Sequence, residues 1–228
     1  MFLTIKKKSI IWCLAILLVA IILSSFFVAK NVVAKPMQHY SVVIDAGHGG
    51  LDGGCVGKST GVYESDLNLK FAYNLQKQLS NFGISFTLTR KTTDGLYDIN
   101  AKNHKKSEMS VRKKIIDDTS PSLVISLHMN SYPLQSCQGA QTFYKKDNEQ
   151  GKILANNIQE ELCTLTNTKS SQGKVGDYYI VNCTNIPSVL VECGFLSNIE
   201  EEKLLVTPAY QTKICYAISV GIIKFLEQ

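Results

Sequence analysis

The chain has 228 residues, 45% of them hydrophobic, which is enough for one globular domain with a core and a short appendage. The formal net charge of +5 arises within residues 1–35, which hold five lysines and no acid, so the remainder balances 19 basic against 19 acidic side chains. A balanced domain argues against non-specific binding to nucleic acid, which needs a basic surface. No two of the seven cysteines have the C-x-x-C spacing that is typical of a zinc knuckle or a thioredoxin-like motif.

The N-terminal segment has the pattern of a membrane-directed sequence. Three consecutive lysines precede residues 10–29, an apolar run without a charge. At about 1.5 Å per residue, this run spans a bilayer core of about 30 Å. The preceding lysines favour a cytoplasmic N-terminus and an extracytoplasmic domain. We interpret residues 1–35 as an uncleaved signal-anchor, with a cleaved signal peptide as the alternative, followed by a linker at 36–40 and a folded domain at 41–228.

The domain begins with a buried strand at 41–45 and a glycine-rich loop that carries His48. A helix is predicted at 65–81 with Ser65 as its N-cap, and Glu64 lies just before it. A second strand is predicted at 84–89.

The later elements alternate in the same way. We predict a helix at 110–117, a strand at 123–128, a strand at 139–144, a helix at 151–166, a short strand at 178–181, a strand at 188–192 and a final helix at 207–226. Strands that alternate with helices predict a single α/β domain, with a mostly parallel twisted sheet and helices on both faces.

One cluster of basic residues stands out in this domain, whose charges otherwise balance. We predict that the cluster forms a solvated helix face and loop, and the alternative is that it attracts an anionic polymer. Its members are Lys102, Lys105, Lys106, Arg112, Lys113 and Lys114.

Residues that carry chemistry stand at the ends of three predicted strands or in the loop directly after. These are His48, His128 and Glu192, and the carboxyl ends of parallel strands meet at one edge of a sheet. Glu64, at the mouth of a helix one loop after His48, faces the same edge. Two imidazoles and a carboxylate suit a catalytic zinc site, which leaves a fourth position for a water molecule and lowers the pKa of that water to about 7. The alternatives are a phosphate-type glycine loop and histidines that serve only as hydrogen-bonding residues.

The two glutamates then divide the remaining roles. We assign Glu64 as a metal ligand and Glu192 as the general base, because low solvation at the end of an apolar strand raises the pKa of a carboxyl group. Asn130, just beyond the histidine strand, is a candidate for orienting a ligand or the substrate. His39 in the linker and His104 in a lysine-rich loop are predicted to be solvated.

Four motifs carry a resemblance to a known family. In order and spacing they resemble the zinc-dependent N-acetylmuramoyl-L-alanine amidases of the bacterial cell wall, over nearly the whole of the chain from residue 42 onward. The motifs are VVIDAGHGGLDGG, YESDLNL, SLHMNS and PSVLVECGFLSN. The resemblance implies that His48, Glu64 and His128 bind Zn²⁺ and that Glu192 is the catalytic glutamate. The substrate would be peptidoglycan, cut at the amide between the lactyl group of muramic acid and L-alanine.

The layout is similar to the germination-specific subgroup of spore-forming bacteria, which helps to form muramic-δ-lactam in the spore cortex. It has one N-terminal apolar segment and no wall-binding repeats, so we expect that an activating protein partner assists the domain. Ala46 and Cys193 depart mildly from the family pattern. Arg90 and Arg112 match it, as candidates for substrate binding or for structural contacts. The competing hypotheses are another zinc amide hydrolase, such as a carboxypeptidase or deacetylase, and a non-enzymatic wall-binding scaffold.

Overall fold

The computed structural model describes Leu17, residues 40–166 and residues 168–228. The predicted apolar segment at 10–29, both of its interpretations, and His39 lie outside the described residues. The chain divides into two units, Met1–Gln38 and His39–Gln228, and the second holds the folded domain. Among the described residues, no helix combines the length and the apolar character needed to cross a membrane.

The described part of the domain contains six strands and six helices in alternating order. In chain order they are β1 (Ser41–Ala46), α1 (Glu64–Asn81), β2 (Ser85–Leu88), α2 (His104–Thr119), β3 (Leu123–Asn130), β4 (Gln141–Tyr144), α3 (Glu149–Leu165), β5 (Lys174–Val175), α4 (Tyr179–Asn182), β6 (Ser188–Phe195), α5 (Ile199–Leu205) and α6 (Pro208–Leu226).

The strands form one sheet in the order β2-β1-β3-β6-β4-β5. The four strands β2, β1, β3 and β6 run parallel, whereas β4 is antiparallel to β6. The predicted α/β domain with a mostly parallel sheet is therefore confirmed. Because β1, β3 and β6 are adjacent and parallel, their carboxyl ends open at one edge, where the predicted site residues lie.

Helices cover both faces of this sheet. Val42 and Ile44 of β1 pack in the larger core with α1, α3 and α6, whereas Val43 packs in a smaller core with Ile116 of α2 and Ile180 of α4. Strand side chains alternate between faces, so each central strand supplies both cores. By the same alternation, the last polar residues of β1, β3 and β6 project on the side of α2 and α4.

Two local predictions are wrong. Residues 178–181 are predicted as a strand, but Tyr179–Asn182 form one helical turn, because a short apolar run fits either structure. Helix α2 begins at His104 rather than at 110, and the Asn103 side chain caps it by accepting from the Lys106 amide at 2.9 Å. His104, predicted to be solvated, is partly exposed, and its ring stacks on Tyr97 with centroids 4.8 Å apart.

The start of α1 also differs from the prediction, and two elements were not predicted. Glu64 is itself the first helical residue and Tyr63 is the N-cap, so Ser65 lies inside the helix. The predictions omit β5, which has two residues, and α5, which has seven. Two residues cannot show the alternation of a strand, and seven residues cover fewer than two helical turns.

A buried ion network fixes the end of β1. Arg112 of α2 is 1% exposed, and its guanidinium contacts the carboxylates of Asp45 and Glu108. It also donates to the carbonyl oxygens of Ala46 at 2.8 Å and His48 at 2.7 Å. Burial alone would raise the pKa of Asp45, but the Arg112 charge and two hydroxyl donors lower it, so the carboxylate stays ionised.

Replacing the central cation should destabilise the fold. We expect Arg112→Met to lower the free energy of unfolding by about 3–5 kcal/mol, because it leaves Asp45 and Glu108 buried and uncompensated. Urea denaturation of both proteins measures this change. Lys113→Met is the matched control, since Lys113 pairs with Asp117 at the surface of the same helix and its loss should leave the midpoint unchanged. Equal midpoints for wild type and Arg112→Met would contradict the role of the network.

Candidate metal centre and active site

The loop after β1 holds His48 in an unusual backbone conformation. Its φ is 60°, in the left-handed region that few residues other than glycine adopt. Two arginines hold the loop in this shape. Arg112 donates to the His48 carbonyl at 2.7 Å, and Arg90 donates to the Gly47 carbonyl at 3.1 Å. The turn thereby directs the imidazole back over the edge of the sheet.

His48, Glu64 and His128 converge at this edge. Oε1 of Glu64 lies 3.1 Å from Nε2 of His48 and 2.9 Å from Nδ1 of His128. The ligand atoms of the three residues all lie within 4.8 Å of one another. Tetrahedral zinc with ligand bonds of about 2.0–2.1 Å separates its ligand atoms by about 3.3 Å. The spacing of the cluster therefore fits a zinc ion. Its three residues come from three separate segments of the chain.

The ring of His128 occupies space that a side chain at position 47 would take. A Cβ atom at Gly47 would lie 2.2 Å from both Cε1 and Nε2 of the His128 ring. The Gly47 amide also donates to the Leu127 carbonyl at 3.1 Å, which brings the loop against β3. A glycine is therefore required at position 47 for close approach rather than for a positive φ.

Glu64 is fixed by backbone donors from both neighbouring segments. Its Oε2 accepts from the Cys55 amide at 2.9 Å, and its Oε1 accepts from the Met129 amide at 3.2 Å. Burial would raise the pKa of Glu64, but the two imidazoles outweigh it and lower this pKa well below the usual range of a carboxyl group. The carboxylate is ionised, as a metal ligand must be.

Two supporting residues were missed in the sequence. Asp52 Oδ1 lies 2.9 Å from Nδ1 of His48, and a carboxylate on one ring nitrogen leaves the other available to a metal. Asn68 donates from Nδ2 to the Gly47 carbonyl at 3.1 Å and to Glu64 Oε1 at 3.4 Å. Both residues lie four positions after a predicted ligand, within the motifs VVIDAGHGGLDGG and YESDLNL. This spacing could have identified them as supporting residues.

Glu192 lies beside His128 across the β3–β6 ladder. It is 8% exposed, and its buried Oε2 has no hydrogen-bond partner in the described structure. Burial raises the pKa of Glu192 to about 7. Glu192 lines a cavity of about 390 Å³ together with the three-residue cluster. Cys193 packs in the larger core on the opposite face, as strand alternation predicts.

The three candidate substrate-binding residues have different surroundings. Asn130 lines the cavity at the end of β3. Arg90 and Arg112 are 3% and 1% exposed, and they donate to loop carbonyl oxygens. For these two arginines the structure favours the structural alternative, since they position the His48 loop. The role of Asn130 stays a prediction.

A buried carboxylate on α5 fixes the loop that leads to Glu64. Glu202 accepts from the amides of Ser59 and Thr60, each at 2.7 Å, and from the Thr60 hydroxyl at 2.6 Å. The sequence interpretation did not include it, because α5 itself was not predicted. This contact gives the short helix a role in holding the loop that precedes Glu64.

Comparison with known proteins agrees with this geometry. Residues 42–224 match the family described as N-acetylmuramoyl-L-alanine amidase. The germination-specific N-acetylmuramoyl-L-alanine amidase of Bacillus subtilis (strain 168) is 32% identical over 197 residues, which are 85% of this chain and 82% of that protein.

Two solved structures share the fold. The CwlD amidase from Clostridioides difficile, solved in complex with the GerS lipoprotein, is 37% identical with a TM-score of 0.79, covering 83% of this chain and 99% of that one. An N-acetylmuramoyl-L-alanine amidase from Clostridium difficile 630 is 26% identical with a TM-score of 0.75, covering 83% and 98%. The matched residues include His48, His128 and Glu192. The chain therefore belongs to the N-acetylmuramoyl-L-alanine amidase family and is an amidase of that kind.

Proposed function

We propose that this amidase holds Zn²⁺ with His48, Glu64 and His128, uses Glu192 as its general base, and acts on spore-cortex peptidoglycan outside the cytoplasmic membrane. The observation that carries the proposal is the convergence of two imidazole nitrogens and one carboxylate oxygen within 4.8 Å. This donor set is typical of a catalytic zinc site with an open position. When bound there, zinc supplies a Lewis acid that polarises the scissile carbonyl and makes water more acidic.

The surroundings of Glu192 support a role in proton transfer. Glu192 lines the same cavity as the cluster, and its strand neighbour is His128. In the proposed reaction its carboxylate accepts a proton from the attacking water and then delivers it to the departing amine of L-alanine. Since Glu192 is not one of the three residues of the cluster, its role is separate from that of Glu64.

The cortex assignment has support from relatives rather than from the site itself. One relative is named as germination-specific, and the CwlD amidase was solved with a lipoprotein. These names support a cortex substrate and an activating protein partner for this chain. In our proposal residues 1–35 direct the domain across the membrane as a signal-anchor or a signal peptide, and residues 41–228 form the zinc amidase domain.

The bond that is cut can be identified from the products. We expect digestion of purified cortex peptidoglycan to yield muramic acid without peptide and stem peptides with a free L-alanine amine. Mass spectrometry of the digest distinguishes these products from the free D-alanine of a carboxypeptidase and the free acetate of a deacetylase. Products of either other kind, without peptide-free muramic acid, would contradict the assigned bond. A zinc-loaded protein that stays inert with its activating partner present would support the scaffold hypothesis instead.

Exchange of the base should separate catalysis from metal binding. We expect Glu192→Gln to keep bound zinc and to lose about 10²- to 10⁴-fold in turnover, because the amide cannot accept the proton. His128→Ala should lose both zinc and turnover, since it removes a ligand. Metal analysis and rates of muropeptide cleavage measure the two effects, with Glu160→Gln at the surface as the control. Wild-type turnover in Glu192→Gln would contradict the base assignment.

The glycine beside the His128 ring offers an independent test of the metal site. We expect Gly47→Ala to displace the ring and to weaken zinc binding by about 10- to 100-fold, the usual effect of disturbing the support of a ligand. Competition with a chelator measures the affinity, and circular dichroism checks the fold. Gly61→Ala is the control, because nothing lies within 4 Å of a Cβ atom there. Unchanged affinity in Gly47→Ala would show that the ring position does not matter for the metal.

A further inference from the structure

Three buried carboxylates are among the residues that line the cavity over the metal cluster. They belong to Asp45, Glu64 and Glu192, and burial leaves little solvent to screen them. Arg112 also lines the cavity, but its guanidinium already contacts two carboxylates and two carbonyl oxygens. A substrate carboxylate that lies away from the metal position would be repelled by these acids unless a further cation faces it.

Lys105 is that cation. It is the second residue of α2 and lines the cavity with its side chain 62% exposed. Its Nζ donates to Asp52 Oδ2 at 2.8 Å, and no other acceptor is shown for it in the described part of the chain. An ammonium group has three N–H donors, so the remaining two can bind a ligand.

Lys105 also stands at the boundary of a second cavity. This cavity measures about 320 Å³ and is lined by Leu51, Asp52, Tyr97, His104, Lys105 and Glu108. Both cavities therefore share the lysine. The stacked rings of Tyr97 and His104 give this cavity an aromatic wall.

One carboxylate links Lys105 to the cluster, so their separation is of the order of one peptide unit of the substrate. Asp52 bridges the two, lying 2.8 Å from the lysine Nζ and 2.9 Å from His48 Nδ1. In peptidoglycan the residue after L-alanine is D-glutamate, linked through its γ-carboxyl group, with an α-carboxyl group that is either free or amidated. From the scissile amide nitrogen to that α-carboxyl group the covalent path extends about 6–7 Å.

We propose that Lys105 binds the free α-carboxylate of the D-glutamate residue, so that the enzyme prefers stem peptides that are not amidated at this position. The rest of the stem peptide then enters the second cavity. The inference rests on the proposed function, because it requires a peptidoglycan stem peptide at the metal cluster. A charged hydrogen bond of this kind is stronger than a neutral one, which gives the lysine a measurable share in specificity.

Two matched muropeptides test the proposal, one with a free α-carboxylate on D-glutamate and one with an α-amide. We expect Lys105→Met to lower kcat/KM about 10- to 100-fold on the free acid, mainly through KM, and less than about 3-fold on the amide. Lys105→Arg should restore most of the preference for the free acid. Lys106→Met is the control, since it removes the same charge from the same helical turn but lines neither cavity.

The substrate pair separates this role from a structural one. If Lys105 serves only to position Asp52 and His48, Lys105→Met lowers kcat/KM equally on both muropeptides, and metal analysis shows reduced zinc. Equal losses would therefore overturn the inference while leaving the proposed function in place. Failure of the zinc-loaded wild-type protein to cleave either muropeptide in the presence of its activating partner would overturn the proposed function and the inference with it.

Discussion

The arrangement of the site depends on one carboxylate oxygen placed between two imidazoles. Oε1 of Glu64 lies about equally far from His48 and His128, at 3.1 Å and 2.9 Å. Such contacts require three segments distant in sequence to meet within the length of a hydrogen bond. The parallel sheet makes this possible because β1 and β3 are adjacent, and helix α1 returns from the first loop with Glu64 as its first residue.

Buried charges hold the scaffold of this meeting point. Arg112 and Arg90 have almost no exposure, and they contact loop carbonyl oxygens. The carboxylates of Asp45 and Glu108 compensate the cost of burying the charge of Arg112. The complete network is therefore stable, but the loss of one member leaves a buried charge unpaired. A loop with a histidine in the left-handed region needs such support. The ion network thus supports the loop that carries His48.

The two glutamates illustrate how surroundings assign roles to the same side chain. Glu64 receives amide hydrogens and faces two imidazoles, so its pKa is lowered and it remains anionic. Glu192 ends an apolar strand with an unpartnered oxygen, and burial raises its pKa to about 7. One environment suits a ligand, and the other suits a group that accepts and releases a proton. Lys105 adds a positive group at the rim of a cavity lined by acids.

Local patterns in the sequence determined much of this protein. Apolar runs that lead to His48, His128 and Glu192 indicated the strands, their common edge and the residues of the cluster, because buried parallel strands and their polar ends are local signals. Only the tertiary structure decided the rest. The contact of Gly47 with the His128 ring and the burial of Arg112 against Asp45 depend on distances between segments. The one-turn helix at Tyr179–Asn182 also depends on the tertiary structure. Four residues are too few to show a helical repeat of apolar side chains, and their packing against β6 determines their structure.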